Sequence, residues 1–217
     1  MRFLGLASIF LIITIPFLII LSVLRISSLN DDFYSQKFLQ YNVEDDVQGA
    51  VPLHEKIIDY VKGRSESAPN ELNEREKQHL GDVRKMQGIA TLLLYVFIVL
   101  FAMLLIASSV ILRINNHIIN FIGKAMVFGG ILTIILAVLL LFFITSDFSS
   151  AFDSFHQLLF KEGTYTFDPA TNVLVRLYPE EIFQDLGSRI SKGVLFSSIA
   201  VIAIGSILLF KTKPRKK

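Results

Sequence analysis

The sequence has no cysteine anywhere in its 217 residues. That excludes disulfides, thiolate metal sites and a cysteine nucleophile, and an exported face would have to hold together without crosslinks. Charge is also missing over long stretches. Four runs, at 3–24, 89–112, 125–144 and 194–210, contain no Asp, Glu, Lys or Arg. Each has about the 20 residues needed to cross a bilayer. The chain is 53% hydrophobic with a mean hydropathy of +0.57, more apolar than soluble domains usually are. The net charge of +2 is too small to argue for a nucleic-acid partner. A polytopic membrane protein is the class these absences leave.

Familiar catalytic signatures are absent too. There is no GxSxG elbow, no HExxH, no glycine-rich phosphate loop and no run of intramembrane carboxylates. Serines occur in the loops, but in no motif that marks a nucleophile. A His–His metal site would need carboxylates to complete it. Catalytic zinc usually takes three protein ligands, and the sequence announces no third. No metal or other cofactor is expected.

What is present is mostly membrane organisation. The first run is longer than a signal-peptide core and no small-x-small cleavage site follows it, so it reads as a retained span. Pro16 inside it predicts a kink. Lys211, Lys213, Arg215, Lys216 and Lys217 load the C-terminal tail, and Arg113 and Lys124 flank the link between the second and third spans. The positive-inside rule then puts both termini and that link in the cytoplasm, with Arg25, Arg84 and Lys85 dissenting. The expected architecture is a mostly α, integral membrane protein. Spans at 3–24, 88–112, 125–145 and 193–210 form a four-transmembrane-helix bundle. A small extracytoplasmic α+β cap is built from two outer segments, 25–87 and 146–192, and a basic tail occupies 211–217.

Within the first outer segment, Tyr34, Phe38 and Tyr41 recur at helical spacing, and 51–63 reads as a short helix stopped by Gly63. Residues 64–70 are polar and proline-bearing, hence a loop. A charged helix leads from Glu71 into the second span. The link at 113–124 places Ile114, Ile118, Ile119 and Ile122 on one side, an interfacial amphipathic turn. Gly129 and Gly130 read as helix-packing residues. In the second outer segment, Ser149 or Ser150 caps a helix with the stripe Phe152, Phe155, Leu159, ended by Gly163. Alternation at 164–167 and 173–177, around Asp168-Pro169-Ala170-Thr171-Asn172, predicts a β-hairpin with Leu174, Arg176 and Tyr178 on one side. Pro179 then starts a helix with Glu180 and Glu181 in its first turn.

The candidates for chemistry are His79 and His156. Each has an aspartate three residues away, Asp82 and Asp153, on the same helical face. A carboxylate there can fix the imidazole tautomer and strengthen its other nitrogen as a base. The plainer alternative is a pair of surface histidines on charged helices. His54 and His117 lack such neighbours and read as surface residues.

Two stretches carry a resemblance. HLGDV at 79–83, leading into an apolar run, and FHQLLFKEGTYTFDPATNVLVRLYPEEIF at 155–183 resemble two signatures of the bacterial lipoprotein intramolecular transacylase family. The order of four spans and two outer segments is similar as well. The resemblance implies an acyltransferase acting on lipoproteins whose N-terminal cysteine carries a diacylglyceryl thioether and a free α-amine. The sn-2 acyl chain would move to that amine, leaving a lyso-form lipoprotein. It also implies that His79 and His156 are catalytic; beside them, Asp82 and Asp153 are orienting candidates from their spacing, and Arg176 and Tyr178 are candidates for binding a polar head group or oxyanion. The partners would be diacylglyceryl-modified lipoproteins and membrane lipid, in the bacterial cell membrane, with the site on its outer face and no nucleic acid involved. The chemistry is compatible: ester to amide is downhill, and donor and acceptor sit in one molecule. The α-amine, with an ordinary pKa of about 7.7–8.0, suits a histidine base near 6.5. Two alternatives stand beside this reading: a non-enzymatic membrane scaffold or accessory subunit, and a lipid hydrolase using the same histidines.

Overall fold

The computed structural model describes residues 2–112, 116–160 and 164–212. Among these the regular elements are helices: α1 (Arg2–Ser28), α2 (Asp31–Gln40), α3 (Val43–Asp46), α4 (Ala50–Val61), α5 (Glu74–Leu112), α6 (Asn116–Ser146), α7 (Phe148–Leu159), α8 (Val173–Leu177) and α9 (Glu180–Lys211). By length and composition α1, α5, α6 and α9 are able to cross a membrane. The 39 residues of α5 rise about 58 Å at 1.5 Å each, roughly twice a hydrocarbon core of about 30 Å. Its polar first turns, which hold His79, therefore lie beyond its apolar run. Chain contacts divide the protein into two units: 1–24, 91–141 and 190–217 form one, and 25–90 with 142–189 the other.

The first unit contains most of the apolar helix length. On α1, Ala7, Leu11, Thr14, Ile15 and Ile19 are buried at three- and four-residue spacing, while Leu6, Phe10, Ile13 and Phe17 face outward. Exposed leucine and phenylalanine on such a helix suit a hydrocarbon solvent. Small residues set how closely the helices approach. A Cβ on Gly129 would meet the Ile15 side chain at 2.7 Å, and one on Gly130 would meet Ile202 at 2.5 Å. Three buried or half-buried hydroxyls in this unit find partners on their own helices, while Ser108 Oγ is buried without one among the described residues. Thr14, Thr133 and Ser198 donate to the carbonyls of Phe10, Gly129 and Val194, one turn back, at 2.6, 2.7 and 2.6 Å. α1 stays helical through Pro16. The link expected as a separate interfacial turn is largely the start of α6, which begins at Asn116 and buries Ile118. Arg113, Ile114 and the tail residues Lys213, Arg215, Lys216 and Lys217 lie outside the described residues.

The second unit is a small helical assembly. The Asn30 side chain caps α2 by accepting from the Phe33 amide at 2.7 Å, and Asp31 and Asp32 suit its first turn. α2 buries Phe33, Tyr34 and Phe38. Tyr41 ends the helix and donates its hydroxyl to Asp185 at 2.9 Å. α4 buries Ala50, Leu53, His54, Ile57, Ile58 and Val61, and Gly63 follows it at φ +76, in the left-handed region where glycine is favoured.

Three sequence expectations need correction. The second strand of the expected hairpin, Val173–Leu177, is a helical turn, and no strand occurs among the described residues. The turn before it closes on itself: the Asn172 amide donates to Asp168 O at 2.8 Å, and Asn172 Oδ1 accepts from the Asp168 amide at 2.8 Å. Leu174 and Leu177 are then buried three residues apart, a helical interval. The cap of α7 is Asp147, two or three residues ahead of the expected Ser149 or Ser150. It accepts from the Ser150 amide at 3.1 Å and the Ser150 hydroxyl at 2.6 Å. α7 ends at Leu159, and Gly163 lies outside the described residues. The helix expected from Glu71 begins at Glu74, because Asn73 caps it through a bond from the Glu76 amide to Asn73 Oδ1 at 3.0 Å.

Candidate active site

His79 sits in the second turn of α5 and His156 in the last turn of α7. The second unit brings their rings to a centroid separation of 6.3 Å, nearly parallel at 23°. Phe160 touches both, at 4.7 Å from His79 and 5.4 Å from His156. Phe167 packs edge-on to His79 at 5.4 Å, Tyr165 lies 5.4 Å from His156, and Phe152 lies 4.1 Å from it. Two imidazoles thus share an aromatic enclosure.

Their hydrogen bonding differs. His156 Nδ1 lies 2.8 Å from the Phe152 carbonyl, which only accepts, so Nδ1 carries the proton and Nε2 the lone pair. Asp153, expected to orient this ring, is exposed. Nδ1 of His79 is buried with no hydrogen-bond partner. Burial first, then the neighbouring His156, depresses the His79 pKa to about 4, with Asp82 acting weakly the other way. Asp82 itself pairs with Lys85 at 3.1 Å. Among the described residues no three His, Asp or Glu side chains converge as a metal site would require.

Tyr178 and Arg176 are placed elsewhere. The Tyr178 oxygen is 2.7 Å from His54 Nδ1, and burial holds its phenol well above the ordinary value, so it remains a donor. His54 Nε2 faces Asp31 at 3.7 Å, beyond hydrogen-bond range. Arg176 donates to the carbonyls of Asn172 at 3.1 Å and Asp46 at 3.3 Å. It lines a hollow of about 320 Å³ with Tyr41, Asp46 and Glu181; a second hollow, of about 540 Å³, lies between Lys56, Asp59, Ser65 and Glu71. Neither hollow is lined by His79 or His156.

Two residues that sequence reasoning passed over hold this arrangement together. His54, expected at the surface, is 1% exposed, packed among Tyr34, Phe38 and Tyr178; His117, read the same way, is exposed. The position of His54 within the 50-53-54-57-58-61 periodicity of α4 was the available signal. Glu76, 1% exposed, accepts from the Asn73 amide at 2.9 Å and from the Leu174 amide at 2.7 Å, joining α5 to α8. The spacing of Asn73 and Glu76 is a capping-box signature that would have revealed half of this.

A pH effect on stability follows. Burial lowers His54 to about 4 as well, against partial compensation by Asp31. The imidazoles of buried His54 and partly buried His79 stay neutral in the fold down to about pH 4, whereas the unfolded chain takes up protons near pH 6.5. Their contribution is complete above that value and is lost as pH falls towards 4. For His54 the shift corresponds to roughly 3 kcal/mol at the acid end. The melting temperature in detergent is expected to drop between pH 6.5 and 4, with a shallower drop for His54→Gln. An equal slope in the variant would show that this burial does not govern acid stability.

Comparison with known proteins now bears on the site. A family model described as lipoprotein intramolecular transacylase Lit matches residues 9–183. The membrane integral lipoprotein intramolecular transacylase Lit from Bacillus cereus has a similar structure, with a TM-score of 0.83 and 21% identity over 97% of each chain. Two more structures of that protein, carrying one histidine replaced by arginine or by alanine, match with TM-scores of 0.79 and 20% identity. They cover 97% of this chain and 93% and 95% of theirs. No curated protein matches in sequence. At these identities the structural likeness establishes the fold, a multi-pass membrane architecture.

Proposed function

The chain belongs to the lipoprotein intramolecular transacylase family, and on that premise we propose that it transfers the sn-2 acyl chain of a diacylglyceryl-cysteine lipoprotein to the cysteine α-amine. Family membership makes it an enzyme acting on lipoproteins in a membrane, which sets the scaffold reading aside. The observation that carries the finer proposal is the meeting of His79 and His156, from two segments far apart in sequence, inside one aromatic enclosure.

The amine nitrogen attacks the ester carbonyl and a C–N bond forms. His156 Nε2, whose lone pair is fixed by the bond from Nδ1 to Phe152 O, takes the proton the amine loses. As the C–O bond breaks, the same nitrogen returns that proton to the glyceryl oxygen. His79, kept neutral by burial, donates from Nε2 to the developing oxyanion, as a neutral imidazole does when it polarises a carbonyl. Atoms and charges balance without a nucleotide, a redox partner or an acyl-enzyme. Phe152, Phe160, Tyr165 and Phe167 crowd the two rings, which favours the tethered amine over water and so transfer over hydrolysis. Asp82 acts on His79 through space. Arg176 bears on the reaction through the shape of the cap, since it bonds to the carbonyls of Asn172 and Asp46, and Tyr178 reaches the imidazole pair only through Phe183 and Phe152. The termini lie in the cytoplasm and the histidines face outward, following the positive-inside rule.

The test is mass spectrometry of the N-terminal lipopeptide of a reporter lipoprotein, with and without the protein. Intramolecular transfer leaves the total mass unchanged and moves one acyl group from the thioglyceryl fragment to the N-acylated dehydroalanyl peptide fragment. Loss of one acyl group would mean hydrolysis, and an unchanged fragment pattern would overturn both readings.

A further inference from the structure

Helices α4 and α7 are both twelve residues long and both have one apolar side. α4 buries six side chains against its own unit, whereas α7 buries none. Phe155 is 50% exposed, Leu158 82% and Leu159 41%. At 3.6 residues per turn, Phe148, Ala151, Phe152, Phe155, Leu158 and Leu159 share one arc, and Ser149, Ser150, Asp153, Ser154 and Gln157 the opposite one. Only Asp147 separates α7 from α6. The last turns of α6, within the same unit, present Phe142 and Phe143 at 62% and 61% exposure. Those two residues end a run apolar enough to cross a membrane. Exposed apolar side chains thus end one helix and resume on the next, across buried Ile144 and the exposed polar residues Thr145, Ser146 and Asp147.

We propose that α7 lies in the plane of the membrane surface at which α6 ends, with Phe155, Leu158 and Leu159 in the acyl-chain layer and Asp153, Ser154 and Gln157 towards water. Its occupant is the bilayer itself. α7 carries no Lys or Arg, so seating rests on apolar area and not on attraction to anionic lipid. His156 falls at the edge of the apolar arc, which sets its ring at the boundary between acyl chains and head groups, the depth of a glyceryl ester. That last consequence rests on the transacylase reading; the seating of the helix does not.

The cysteine-free chain suits a direct test. Leu158→Cys, Phe155→Cys and Ser154→Cys, each labelled with bimane, are placed in phosphatidylcholine vesicles at low protein density. Labels at 158 and 155 should emit at shorter wavelength, be quenched by a nitroxide carried high on a lipid acyl chain, and resist iodide. The label at 154 should show the reverse. Adding anionic lipid should change none of this. Because Leu158 and Phe155 are exposed, these substitutions remove no core packing. Iodide quenching at 158 and 155 as strong as at 154 would overturn the proposal. So would shielding from both quenchers, which would mean that protein, such as a second copy of the chain, covers the face. The readout uses no catalysis, so failure of the reaction scheme leaves it standing, and the reverse also holds.

Discussion

Replacing His156 by alanine is expected to lower lyso-form lipoprotein formation by about 10²–10⁴, the usual span for a general acid–base group. His79→Ala should fall in the same range. The double variant should lose little more than the worse single one, because groups that act in one step are not additive. The two rings share Phe160 as a neighbour and lie 6.3 Å apart, close enough to serve one ester head group together. The fold should tolerate both changes. His79 Nδ1 has no partner to lose, and the Phe152 carbonyl remains within the α7 ladder. Asp82→Asn should cost far less, since Asp82 bonds to Lys85 and reaches His79 only electrostatically. The assay is conversion in purified membranes beside a measure of protein level. If both alanine variants accumulate normally and convert at the parental rate, the proposed roles are wrong.

The membrane spans were legible because long uncharged apolar runs have few other solutions. The two histidines were singled out by their aspartate neighbours and by their similar distances from the second and third spans, and the resemblance then gave them a shared role; neither local sequence names the other. At His156 the partner of Nδ1 is the Phe152 carbonyl and not the aspartate at i−3, for a physical reason. The Phe152 carbonyl is already fixed one turn from His156, so bonding to it orders no second side chain. Asp153 would have to give up solvent and rotamer freedom to compete. At Val173–Leu177 an alternating run of five residues could not distinguish strand from helical turn, and the deciding contact, from Glu76, lies in the other segment. His54 was misjudged because its chemistry was weighed without the periodicity of α4, which places it on the buried face.

The largest stability effect is expected at Glu76. Its carboxylate lies at the first turn of α5, where the helix dipole favours a negative charge. It also accepts the Leu174 amide of α8, where the same argument applies, so its two oxygens serve the starts of two helices. Glu76→Ala leaves the amides of Asn73 and Leu174 without these acceptors. An unsatisfied buried donor costs about 1–3 kcal/mol, so roughly 2–6 kcal/mol is at stake for the pair. Glu76→Gln keeps the shape but only one acceptor oxygen, and its NH₂ must face one of the two amides, so it should lose about half as much. Thermal unfolding of the purified protein in detergent should rank parent above Gln above Ala. Parental melting in Glu76→Ala would show that water replaces the carboxylate at little cost. The variants should also lose activity beyond what their folded fraction explains, because His79 lies one turn from Glu76 on the same helix face. The tie to α8 fixes that turn against the segment that begins at Thr164 and includes Tyr165 and Phe167, so loosening it widens the enclosure around both imidazoles.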